Sequence, residues 1–178
     1  MKIAVIGYSG SGKSTLARTL AEHYGIPVLH LDTVQFLPGW VARPAGEKER
    51  ITREFLDANA AWVVDGNYSA LSFERRMEEA DRIILLLFGR LACFSRVLRR
   101  YRTYRNTSRP DMTEGCPEKV DLAFAGWVLY GGRKKAARER YRKVREHYAD
   151  KAVTIRNQRQ LTAFLRTLDG EGEVSGKY

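Results

Sequence analysis

Short β-branched or continuously apolar runs alternate along this chain with stretches whose apolar residues recur every three to four positions. The first run, residues 2–6, is followed by a glycine-serine stretch and then by residues 13–24, where Leu16, Ala17, Leu20 and Ala21 share a helical face. Gly25 stops that helix and Pro27 prevents its resumption. A second run, 28–31, ends in Asp32, and a segment containing Pro38, Gly39 and Pro44 leads to a helix near 47–60. Trp62-Val63-Val64 reads as a third strand, closed by Asp65-Gly66. Residues 71–80 read as helix, 82–88 as a strand apolar on both faces, and 91–104 as helix. Residues 105–119 contain two prolines, a glycine and no periodicity, which predicts a surface loop. An apolar helix over 121–130, a break at Gly131-Gly132, a charged helix over 133–148, a strand at 153–155 and a helix over 160–168 complete the pattern. Residues 169–178 are polar and glycine-rich and are expected to form a frayed, disordered tail. Five apolar strands alternating with helices predict a three-layer α/β fold with a five-stranded parallel sheet covered on both faces. The chain reads as a single domain over 1–168, with insertions at about 33–60 and 105–119 over the carboxyl edge of the sheet.

Between the first run and the first helix, Gly7-Tyr8-Ser9-Gly10-Ser11-Gly12-Lys13-Ser14 matches G-x-x-x-x-G-K-[ST] at every fixed position, and Thr15 follows. Glycines at these places let successive backbone N–H groups turn inward on an anion, and the following helix adds its positive N-terminal end. The strand before and the helix after supply the context that such a loop requires, so a P-loop NTPase fold that binds ATP is expected. Lys13 is then positioned for the β- and γ-phosphates, and the Ser14 hydroxyl for Mg²⁺. Asp32 and Asp65 both end apolar runs, beside the loop in such a sheet. Asp65, ending a hydrophobic strand, suits the metal side. Asp32, followed by Gln35, Trp40 and Arg43, suits an acceptor hydroxyl as orienting group or base. A helix-cap or turn role is the alternative for either aspartate.

The composition of the 178 residues, 44% hydrophobic and 29% charged, excludes disordered and fibrous classes. Two cysteines, Cys93 and Cys116, and three scattered histidines exclude a disulfide framework and make a zinc site improbable. The longest apolar run, 83–88, is six residues and far too short to span a membrane; without a signal-like start, a cytoplasmic protein with no membrane association is expected. The net charge of +10 points to an anionic partner, and it is concentrated in two segments. Residues 90–109 carry seven arginines and no acid, and residues 133–145 carry a net +7, leaving −4 on the remaining 145 residues. Arg96, Arg99 and Arg100 lie on one helical face, and Arg105 and Arg109 lie on the loop that follows. Closing over a triphosphate, Arg96, Arg100, Arg105 and Arg109 would neutralise transferred charge and exclude water. Tyr101 and Tyr104, interleaved with these arginines, also suit stacking on nucleic-acid bases, the less favoured reading.

These residues together resemble a family of small P-loop kinase-like proteins named DNA topology modulation proteins, related to adenylate kinase and shikimate kinase. The resemblance is carried by Gly7 to Thr15, His30-Leu31-Asp32, Pro38-Gly39-Trp40, Trp62 to Tyr68, and Arg109-Pro110-Asp111-Met112 through Gly115-Cys116-Pro117-Glu118-Lys119. It implies an adenylate-kinase-like fold, ATP and Mg²⁺ at the loop, and a lid around 105–119. It also implies that Asp65-Gly66 matches the Asp-Gly pair ending the third strand of adenylate kinases. Here Asn67-Tyr68-Ser69 follows in place of the Phe-Pro-Arg of those enzymes. The expected function is an ATP-dependent kinase for a small-molecule acceptor, working as a monomer or homodimer. A DNA-binding NTPase and a nucleotide-dependent regulator are the alternatives.

Overall fold

The structure, a computed structural model, describes residues 1–105 and 107–174, with side chains described through residue 168. Strand β1 (Lys2–Gly7) is buried along almost its whole length, as its unbroken apolar run requires of a central parallel strand. It lies between β5 (Trp62–Asp65) and β6 (Arg82–Leu86), with Ala4 opposite Val64 on one side and Ile83 on the other. Strands β2 (Val28–His30) and β7 (Ala152–Ile155) complete a sheet of order β2-β5-β1-β6-β7 in which every pairing is parallel. A two-residue hairpin pair, β3 (Phe36–Leu37) and β4 (Val41–Ala42), stands apart from it.

Because strand side chains alternate, β1 feeds two cores. Ile3 and Val5 pack with Leu16, Leu20, Cys93, Val97 and Leu168, beneath α1 (Lys13–Tyr24), α5 (Arg90–Tyr104) and α8 (Gln158–Val174). Ala4 and Ile6 pack with Leu31, Leu56, Met77 and Val144 on the opposite face. That face carries α2 (Leu31–Gln35), α3 (Ala45–Ala58), α4 (Phe73–Glu79) and α7 (Lys135–His147). The remaining helix, α6 (Leu122–Leu129), is capped by Asp121, whose side chain accepts from the Phe124 N–H at 2.7 Å.

Two expectations change. The second strand ends at His30, and Leu31 opens a short helix because Leu31 and Val34, three apart, both insert into the core. Asp32 therefore sits in the first turn of α2 and does not end a strand. The helix expected over 160–168 continues as backbone to Val174, through part of the stretch expected to fray; residues 175–178 lie outside the described residues.

Candidate functional site

The loop from β1 into α1 opens on a cleft of about 1460 Å³ at the carboxyl edge of the sheet. Gly7, Ser9, Gly10, Ser11, Gly12, Lys13, Ser14 and Thr15 form one sequence-expected group, and all but Gly7 line this cleft. Gly10 and Gly12 have φ of 75° and 94°, the left-handed region that turns successive N–H groups to one side. Asn67 holds the loop's root as a two-sided clamp: its Oδ1 accepts from the Gly7 N–H at 3.0 Å and its Nδ2 donates to the Gly7 carbonyl at 2.5 Å. Ser11 is fully buried, and Arg96 donates to its carbonyl at 2.9 Å while its guanidinium lies 3.9 Å from the centre of the Phe88 ring. Arg96 thus props the loop from α5.

Lys13 reaches back over the loop and donates to the Tyr8 carbonyl at 3.1 Å. Burial lowers its pKa, and the nearby charges of Asp65 and Asp32 oppose that shift. Both carboxylates are therefore within electrostatic reach of the loop lysine. Asp65 is buried, and its Oδ1 lies 2.8 Å from His30 Nδ1. Asp32 is more open, accepting from the Tyr68 hydroxyl at 2.7 Å and from Arg109 Nη2 at 3.0 Å. Burial first, and then the charge of Asp32, pushes the Tyr68 phenol above its ordinary range, so Tyr68 stays a donor.

Of the sequence-expected arginines, the fold brings Arg96, Arg100 and Arg109 to the cleft and leaves Arg105 exposed at the end of α5, outside the cleft lining. Backbone pairing of Arg105 with Glu118 fixes that turn. Glu118 is the residue that the sequence reading missed. Its carboxylate is buried, accepts from Arg100 Nε at 2.8 Å and Nη2 at 2.5 Å, and lies 3.8 Å from Arg109 Nη1. Asp111 flanks Arg109 at 3.4 Å. The arginine pair is thus held by a carboxylate 18 positions from Arg100, a relation with no local sequence signal.

Two other buried arginines shape the surroundings. Arg76 donates to the carbonyls of Leu71, Gly66 and Tyr68 at 2.8, 3.3 and 3.0 Å, fixing the loop after Asp65; burial lowers its pKa. Arg133 donates to the Phe88 and Val128 carbonyls and lies 3.9 Å from the centre of the Tyr8 ring. Residues 133–145, expected as one charged helix, thus contribute a buried prop behind the loop as well as a solvated face. The described residues contain no group of three or more acids, histidines or cysteines placed to hold a metal ion. They also contain no helix long and apolar enough to cross a membrane.

A parallel sheet of this order, with a glycine loop running from its central strand into a helix and a lysine at the loop's end, is a kinase-like P-loop fold. No family model matches the chain. A stretch of 61 residues, 34% of the chain, is 49% identical to a cytidylate kinase of Methylobacterium sp. (strain 4-46) and covers 28% of that protein. The match thus spans well under a third of that relative's length. The crystal structure of TT1252 from Thermus thermophilus aligns over 96% of this chain and 97% of its own, at 17% identity and a TM-score of 0.54, and shares the fold. An uncharacterized protein from Eubacterium ventriosum aligns over 95% of this chain and 99% of its own, with 19% identity and a TM-score of 0.48.

Proposed function

We propose that this chain is an ATP-dependent phosphotransferase that passes the γ-phosphate of ATP to a hydroxyl or phosphate of a small acceptor: a nucleoside, nucleotide or metabolite. The reading is carried by one arrangement, a complete phosphate loop whose lysine feels two carboxylates, one buried and one open to the cleft. The partial likeness to a cytidylate kinase supports the same class.

Backbone N–H groups from Gly10 to Ser14 cradle the phosphates, and Lys13 supplies positive charge at the β/γ bridge. The donors near the loop fit Mg²⁺, which takes one or two carboxylates and completes its shell with water and phosphate oxygens. The Ser14 hydroxyl and Asp65 would hold it, with His30 fixing the orientation of Asp65. Bound there, the ion supplies charge neutralisation on the β- and γ-phosphates. Asp32 faces the acceptor. When the acceptor oxygen bonds to the γ-phosphorus, the bond to the bridging oxygen breaks and ADP leaves with that electron pair; a hydroxyl acceptor passes its proton to Asp32, whereas a phosphate acceptor attacks as its anion and has no proton to give. Arg109, seated on Asp32 in this structure, belongs to a lid over residues 105–119, Arg100 reaches in from α5, and the two neutralise the equatorial oxygens. Because Arg100 and Arg109 turn inward onto Glu118, this cluster suits a lid better than a nucleic-acid stacking surface.

The test is calorimetry with Mg-ATP, followed by acceptor-dependent ADP release across nucleosides, nucleotides, sugars and hydroxy acids. Binding that Lys13→Ala abolishes, with ADP release stimulated by one acceptor class, is expected. Absence of nucleotide binding, or binding indifferent to Lys13→Ala, would overturn the proposal.

A further inference from the structure

The basic helix α7 has a face that the phosphotransfer reading leaves unused. Arg138, Arg142 and Arg145 recur at i, i+4 and i+7, so they form one stripe, with Tyr141 between them. Arg156, just past the end of β7, joins this stripe from the sheet's carboxyl edge. The four arginines line one depression of about 270 Å³, separate from the proposed ATP cleft and sharing only Tyr8 and Tyr141 with it.

The charge in this depression is largely uncompensated. Arg142 pairs with Glu146 at 2.8 Å. Arg138 spends its Nε on the Arg133 carbonyl at 2.8 Å, which fixes the side chain without neutralising it. Among the described residues no carboxylate pairs with Arg138, Arg145 or Arg156. The Nε of Arg145 is buried without an acceptor among the described residues, so no protein oxygen satisfies that guanidinium at this atom. A guanidinium fork matches the paired oxygens of a carboxylate or a phosphate, and several arginines around one depression favour the more highly charged phosphate. The volume lies below the range of about 300–1,000 Å³ for sites that engulf a drug-sized ligand, and suits one or two phosphate groups.

We infer that this depression is a second anion site, built for a phosphate group and distinct from the phosphate loop. The phosphate comes either from a small phosphorylated molecule or from the backbone of a nucleic-acid strand passing across α7. The floor of the site joins it to the loop: the ring of Tyr8 meets Tyr141 edge-on at 5.3 Å, while the Tyr8 carbonyl holds Lys13.

Two probes separate the sources: inorganic pyrophosphate, followed by calorimetry, and a labelled single-stranded oligonucleotide, followed by anisotropy. Each is titrated into the full chain carrying Lys13→Ala, so the phosphate loop is disabled and failure of the kinase reading leaves the result intact. Binding of either probe is expected, weakened roughly tenfold or more by Arg156→Gln and by Arg138→Gln, both at exposed positions whose loss leaves the core untouched. A strand as the ligand adds a salt dependence, log affinity falling with log salt at a slope of about −0.7 per phosphate engaged. Lys143→Gln, an exposed charge on the same helix outside the depression, is expected to change little. Failure of both probes to bind would overturn the inference. So would equal losses in the Lys143 and Arg156 variants, which mark diffuse attraction to a basic helix.

Discussion

Gly10 and Gly12 both have positive φ, yet an added methyl group meets different surroundings at the two positions. At Gly10 it would lie 2.7 Å from the Cys93 carbonyl oxygen and from Val97; at Gly12 nothing stands within 4 Å. Gly12→Ala should therefore cost only the left-handed strain, about 1–2 kcal/mol, while Gly10→Ala should add an overpacking cost of about 1–3 kcal/mol, measurable by urea unfolding. Gly12 lines the cleft at the carboxyl edge of the sheet, so on the proposed function Gly12→Ala should lose nucleotide affinity out of proportion to its stability loss. For Lys13, burial outweighs the opposing charges of Asp65 and Asp32 and holds the ammonium below its ordinary pKa of 10.5. Phosphates bind the protonated form, so ATP affinity should begin to fall at a pH below 10.5, and Lys13→Arg, which keeps its charge throughout this range, should flatten that profile in calorimetry. Level wild-type affinity up to 10.5 would refute it. Asp32→Asn should leave ATP binding intact and reduce turnover by roughly 10²–10⁴, the range for loss of a general base. The loop residues were legible in the sequence because their spacing is itself the physics: glycine conformation and helix dipole act over eight consecutive positions. The partners of Asp32 were not, because Tyr68 and Arg109 lie 36 and 77 positions away.

Between elements, the segment ending in Glu118 is bound to the β3–β4 hairpin as closely as to α5. The Gly39 N–H donates to the Gly115 carbonyl at 2.9 Å, and Trp40 Nε1 donates to the Pro117 carbonyl at 3.1 Å. Thr113 donates to the Phe36 carbonyl at 2.7 Å, and Cys116 Sγ lies 3.3 Å from the Leu37 carbonyl. The hairpin within 33–60 and the segment 107–118 are therefore joined by these bonds, and separating them requires breaking the bonds together. Glu118→Gln removes the charge that holds Arg100 and Arg109. It should lower turnover and speed proteolytic cutting within 107–118, with ATP affinity unchanged; cutting at the wild-type rate would show that Glu118 does not anchor that segment. The aperiodic sequence of 105–119 announced a loop, and nothing in it announced the hairpin as its partner. Such contacts run through backbone carbonyls that every residue possesses, so the side-chain pattern carries no record of them.

For the molecule as a whole, part of the basic excess has three destinations. Arg96, Arg100 and Arg109 turn toward the cleft, Arg133 is buried behind the phosphate loop, and the outer stripe of α7 lines a depression of its own. Binding at the loop couples to global stability: at an ATP concentration of 100 times Kd the fold should gain about 2.7 kcal/mol, raising Tm by roughly 5–10 °C for a chain of this size. Lys13→Ala should abolish that shift in scanning calorimetry; a shift that survives would place ATP elsewhere. The sequence by itself determined the layered α/β architecture, the parallel sheet and the phosphate loop. Each rests on short-range regularities, strand and helix periods and one contiguous motif, that neighbouring residues enforce without the rest of the chain. Only the tertiary structure decided that Asp32 belongs to a helix, that Arg105 faces away, and that Glu118 gathers two arginines. It alone divided the charge of 133–145 among a buried prop, Arg140 at the cleft and an outer face. These outcomes depend on which distant groups desolvate one another, and burial is a property of the assembled core that no local pattern contains.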